Sequence, residues 1–177
     1  MIKTNITYNS VLQPIKNVKA RTEAFHKLSD EDKRREIAWD ALQQVISGKF
    51  YGSAGSYWDP TLLTVVFGCD SPEEFQQNLI EFCSSESWCK VCARGAVMAS
   101  TIILGNHISP KDPYFHKGNP SNVQGFNIDS MINMEKEYET SRYDHPYTRN
   151  TTNKLANILC NVIVNGDFNT EDRTDYL

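Results

Sequence analysis

The chain has 177 residues, 40% of them hydrophobic and 23% charged, with a formal net charge of −4. Such a composition is that of an ordinary globular protein able to bury a core without crosslinks, and its acidity removes the bulk electrostatic case for nucleic-acid binding. No apolar run is long enough for a bilayer, and the five cysteines are too few and too scattered for a disulfide scaffold, so neither a membrane role nor a crosslinked fold is expected.

In chain order, Met1 to Pro14 shows no helical period; its Thr, Ile, Tyr and Val with scattered Asn predict an extended arm or an edge strand. The first eight residues lack the apolar centre of a signal peptide, which makes the cytoplasm the expected compartment and free thiols the expected cysteine state. Ile15 to Lys27 carries Lys16, Lys19, Arg21 and Lys27 and reads as a short helix with a solvated basic face. Ser29 predicts a helix cap, with Asp30, Glu31 and Asp32 at the positive end of the dipole. Ile37, Ala41, Leu42, Val45 and Ile46 then form one apolar stripe, Trp39 and Asp40 lie off it, and Gly48 stops the helix.

Lys49 to Pro60 is a glycine- and serine-containing loop without the Gly-Lys-Ser/Thr ending of a phosphate-binding loop. Its aromatics either pack on the core or form a recognition surface, and Tyr51, Tyr57 and Trp58 are the interaction-surface candidates. Thr61 to Phe67 is apolar and β-branched, and periodicity does not separate a buried strand from a short helix there. Ser71-Pro72-Glu73-Glu74 predicts a capped helix that turns Phe75, Leu79, Phe82 and Cys83 inward. Ser87 is the predicted cap of a central helix from Trp88 to Asn106, with Val91, Cys92, Gly95, Ala99, Ile102 and Ile103 on its stripe and Gly95 and Ala96 making it shallow.

His107 to Asn127 reads as a long loop, a kind of segment that is often functional. Ile128 to Tyr143 predicts a surface helix with Met131, Ile132, Glu135 and Tyr138 on one side. Asn150 or Thr151 is the predicted cap of a last helix, with Leu155, Ile158, Leu159, Val162 and Ile163 facing inward. The expected fold is therefore mainly α: a single compact domain over residues 1–177 with about five helices and long aromatic-rich loops. A short strand or an extended N-terminal arm over residues 1–14 precedes it, and a loose acidic tail over residues 167–177 follows.

Three chemistries compete at the cysteines. Cys89 and Cys92, three apart in the predicted helix, would be neighbours near its positive end. Cys92 beside Gly95 and Ala96 reads first as a small core residue, so neither a metal nor another cofactor is expected. As a nucleophile, Cys92 would need a histidine: His145 oriented by Asp144, or His107 or His116. As a zinc site, Cys83, Cys89 and Cys92 would need His116 or His107 as a fourth ligand. Arg94 reads first as half of a surface ion pair, with an acidic partner in the core or a bound anion as alternatives, and Glu135 with Glu139 as helix solvation.

Trp88-Cys89-Lys90-Val91-Cys92-Ala93-Arg94-Gly95-Ala96-Val97 resembles a segment of a group of small uncharacterised proteins from bacteria and their phages. They share a Cys-x-x-Gly-Ala-Leu helix start, matched here by Cys92 to Val97 with Val97 in place of the Leu, after an earlier helix with a glycine and an aromatic at its end, here Ala41 to Tyr51. The resemblance implies a phage or bacterial accessory protein and no particular activity. With no catalytic set standing out, the expected function is non-enzymatic: binding a macromolecular protein partner, one version being inhibition of a host-defence complex. A cysteine hydrolase or transferase using Cys92 with a histidine is the alternative, and a zinc-stabilised domain the second.

Overall fold

The computed structural model describes residues 1–53, 57–66, 68–105, 126, 128–140 and 149–177. Among these residues the chain is mainly α, with seven helices and one two-stranded sheet rather than the five or so helices expected. Helix α1 (Val18–His26) is capped by Asn17, whose side chain accepts from the Ala20 amide. Helix α2 (Asp30–Ile46) is capped by Ser29 as its sequence predicts, and buries Ile37, Ala41, Leu42 and Val45. Gly48 ends it with φ +75°, a left-handed turn that glycine adopts without strain.

Strand β1 (Phe50–Gly52) follows, then α3 (Pro60–Val66) and α4 (Pro72–Ser84). The ambiguous apolar stretch is thus helical. Asp59 decides it locally: its Oδ1 accepts the Leu62 amide at 3.1 Å, and Pro60 sits in the first turn, where a missing N–H costs nothing. In α4 the Ser71 hydroxyl accepts the Glu74 amide at 3.1 Å, while the Glu74 carboxylate takes the Asp70 amide at 2.9 Å.

The central helix starts later than its sequence suggests. Cys89–Val91 is strand β2, parallel to β1 with Phe50 opposite Cys89, Tyr51 opposite Lys90 and Gly52 opposite Val91. Helix α5 (Ala93–Gly105) begins after it and is buried at every position, as a helix without a polar face must be. It packs against α1, α2, α4 and β2, and against α6 (Ile128–Thr140) and α7 (Arg149–Asn165). Buried side chains of all these elements join one core. The last helix starts at Arg149, ahead of either predicted cap.

Both chain ends are held down. The Glu36 carboxylate, buried on α2, accepts from the Ser10 hydroxyl at 2.5 Å, the Val11 amide at 2.8 Å and the Tyr8 hydroxyl at 3.1 Å. That carboxylate gives the extended arm its polar anchor, and Leu12 supplies the apolar one. The tail is not the loose segment expected: Tyr176 is buried, and Asn157 and Asn161 of α7 bind its backbone. The Asn5 amide donates to the Tyr176 carbonyl at 2.7 Å, so the two ends meet. Arg34 and Arg35 of α2 donate to the Gly166 and Ile163 carbonyls, capping the negative end of α7. No helix among the described residues is long and apolar enough to cross a membrane.

Candidate functional site

Strand β2 has the chain packed on both flanks. On one side lies β1; on the other, residues 57–59 run back along it, with the Asp59 amide donating to the Lys90 carbonyl at 3.1 Å and the Cys92 amide to the Tyr57 carbonyl at 3.3 Å. Alternation then sorts the side chains. Cys89 and Val91 turn into the core, while Trp88 and Lys90 face out. Cys89 and Cys92 are therefore not neighbours on one helix face, because the first belongs to a strand.

Cys92 is the residue before α5, and its sulfur accepts the Gly95 amide at 3.4 Å, the role of a helix cap. Burial pushes its thiol up to about 11, against the pull of the Gly95 and Arg94 amides. Burial likewise raises Cys83 and Cys160 to about 12, and raises Cys89 and Cys69. His107, His116, Asp144 and His145 lie outside the described residues, so the histidine partners proposed for Cys92 do too. Among the described residues, no three His, Cys, Asp or Glu side chains gather to hold a metal ion.

Two glycines set how closely the chain packs here. A Cβ on Gly95 would stand 1.8 Å from the Tyr57 carbonyl oxygen, and one on Gly52 would stand 2.5 Å from the Thr151 backbone. Close approach therefore locks Tyr57–Trp58 onto α5 and β1 onto the start of α7. Trp58, expected as a surface candidate, is only 4% exposed, and its indole N–H donates to the Gly95 carbonyl at 2.8 Å. Tyr57 is half-buried and lies under the Arg94 guanidinium, 5.1 Å from Cζ to the ring centre. Arg94 is no surface ion pair: its side chain is 10% exposed and meets Glu135 of α6 at 2.5 Å. A cation in the first turn of α5 opposes the dipole, and Glu135 offsets it.

Tyr51 alone of the three aromatic candidates is exposed, at 45%. It meets Trp88, 54% exposed, edge to face with ring centres 5.5 Å apart. The two rings stand at the rim of a hollow of about 460 Å³ lined by Gly52, Lys90 and Thr152 as well. Within its lining the Thr152 hydroxyl accepts the Gly52 amide at 2.9 Å. Trp88 and Lys90 are the residues that reading the segment as a helix conceals. The signal for them is the alternation of Trp88-Cys89-Lys90-Val91, large or charged residues out and small apolar ones in. The outward face of the two strands thus carries two aromatic rings beside a cation.

Comparison with known proteins finds no family model that matches, no similar curated protein and no solved structure that resembles the chain.

Proposed function

We propose that this is a non-enzymatic interaction protein that grips a protein partner through the Tyr51–Trp88 edge. One observation carries the reading: two large aromatics, half exposed, are held against each other over a hollow, in a fold that buries its other tryptophans more deeply. Leaving that much aromatic surface in water is unfavourable unless something covers it, and tryptophan and tyrosine are the residues that most often anchor interfaces. The resemblance of the Trp88–Val97 segment to small phage and bacterial proteins supports an accessory role, with a bacterial macromolecule as the partner and inhibition of a host-defence complex as one form of it.

Affinity capture from bacterial lysate tests this with three tagged forms: wild type, Trp88→Ala, and Val164→Ala. Val164 is equally exposed but twelve residues beyond Thr152, about 18 Å along α7. A partner retained by wild type and Val164→Ala and lost by Trp88→Ala is the expected result. Identical captures by all three forms, or no specific capture by wild type, would overturn the proposal.

A further inference from the structure

The described polar side chains around the hollow can all donate a hydrogen bond. Among the described residues, the Lys90 ammonium, the Trp88 indole N–H and the Tyr51 hydroxyl make no hydrogen bond or ion pair. Thr152 already accepts the Gly52 amide through Oγ1 and keeps its own O–H to donate. Each described polar side chain lining the hollow can therefore donate, and the one charge among them is positive. Asp59, the carboxylate that reaches the Lys90 backbone, is engaged by the Lys90 amide at 2.9 Å and the Leu62 amide at 3.1 Å. Among the described residues it forms no ion pair with the Lys90 ammonium. Lys49, the next cation along β1, is turned away: its ammonium donates to the Ser85 carbonyl.

The complement of this surface is a ligand with an apolar or planar group next to a single carboxylate. A volume of about 460 Å³ suits two or three peptide side chains. One lysine argues against a nucleic-acid backbone, whose binding rests on several neutralised phosphates, and the chain's net charge of −4 argues the same way. Resting on the reading of this surface as the contact site, we infer that the hollow takes an acidic peptide segment of the partner, a Glu or Asp carboxylate on Lys90 with the adjoining Pro or Leu packed on the outer faces of the Trp88–Tyr51 pair. The donors at the rim fix the direction of the carboxylate; the rings supply the apolar contact.

Fluorescein-labelled decapeptides with Glu-Pro or Glu-Leu at the centre, and the same peptides with Gln for Glu, test this by anisotropy against the purified full chain, with a ten-nucleotide oligothymidylate as a further arm. The Glu peptides are expected to bind about fivefold more tightly than the Gln peptides, the difference a partly solvated ion pair supplies. Lys90→Ala is expected to bring the two sets together without abolishing binding, and Trp88→Ala to weaken both. Equal binding of the Glu and Gln peptides by wild type, tighter binding of the oligonucleotide, no binding of any peptide, or a homodimer that Trp88→Ala dissociates would each overturn the inference. If the peptides fail while Trp88→Ala still strips the captured partner, the contact surface stands and only its acidic ligand falls.

Discussion

A carboxyl enclosed by protein must find donors or keep its proton, and Asp40 does a little of each. Its Oδ2 is enclosed together with Ser100 Oγ and Arg21 Nε, close enough for them to act on the carboxyl but in no hydrogen bond of good geometry. Burial pushes the Asp40 carboxyl up to about 6, while Ser100, Arg21 and Gln44 hold it down and Glu36 pushes it further up. Because the folded group binds its proton more tightly than the unfolded one, Asp40 costs nothing below about pH 4 and destabilises increasingly up to pH 6. The full cost is about 3 kcal/mol. Urea unfolding of wild type and Asp40→Asn at pH 4, 5, 6 and 7 is expected to show the variant gaining on wild type across that window; a difference independent of pH would refute the assignment. The thiols make a second prediction. With Cys92 raised to about 11, its thiolate is scarce at neutral pH, and native Cys92 should alkylate about 10²-fold more slowly than in the unfolded chain. Mass-resolved labelling checks this, and native labelling at the unfolded rate would remove Cys92 from its place as a helix cap. The sequence shows a small residue at this position; the thiol's contact with the Gly95 amide becomes visible only once α5 is known to start at Ala93.

Elements differ in how much of them is written locally. Ser29 and Ser71 cap their helices within one turn, so α2 and α4 are legible from a dozen residues each. Strand β2 is three residues long and exists because β1 and residues 57–59 come to lie beside it; its local alternation is too short to decide the matter alone. Gly95 registers that assembly. Gly95→Ala should destabilise the chain by about 3 kcal/mol or more, since the added methyl meets backbone at Tyr57 that has little room to move. A thermal midpoint unchanged by Gly95→Ala would contradict the packing. The tail rests on a ladder of asparagines four apart, Asn157, Asn161 and Asn165, each bonding residues beyond Phe168. Such spacing puts three amides on one helix face and was available in the sequence, where it is easily read as solvation. Asn161→Ala removes the amide that both donates to the Asn169 carbonyl and accepts the Asn169 N–H; it should cost about 1–3 kcal/mol and speed hydrogen exchange in residues 169–177. Unchanged exchange there would show that Asn157, Asn165 and Tyr176 hold the tail without Asn161.

Across the whole molecule, stability and recognition lie in different places. The core runs through α5 and all its neighbours, whereas Trp88 stands outside it with 54% of its surface in water. Trp88→Ala should therefore leave unfolding free energy within about 0.5 kcal/mol of wild type while removing the partner contact. A larger loss, measured by urea unfolding, would make Trp88 a structural residue and undercut the proposed surface. The sequence by itself determined the helical class, the main capped helices, the apolar faces that build the core, and the acidic balance that weighs against nucleic acid. These follow from composition and from contacts within a turn or two. Only the tertiary structure decided that Trp58 is inside and Trp88 outside, that Arg94 pairs with Glu135 in the interior, and that both chain ends are fastened. Each of those outcomes depends on segments distant in the chain arriving at the same place: residues 57–59 against β2, α6 against α5, the arm against Glu36, the tail against α7. A side chain's own neighbours in sequence carry no record of which remote backbone will cover it.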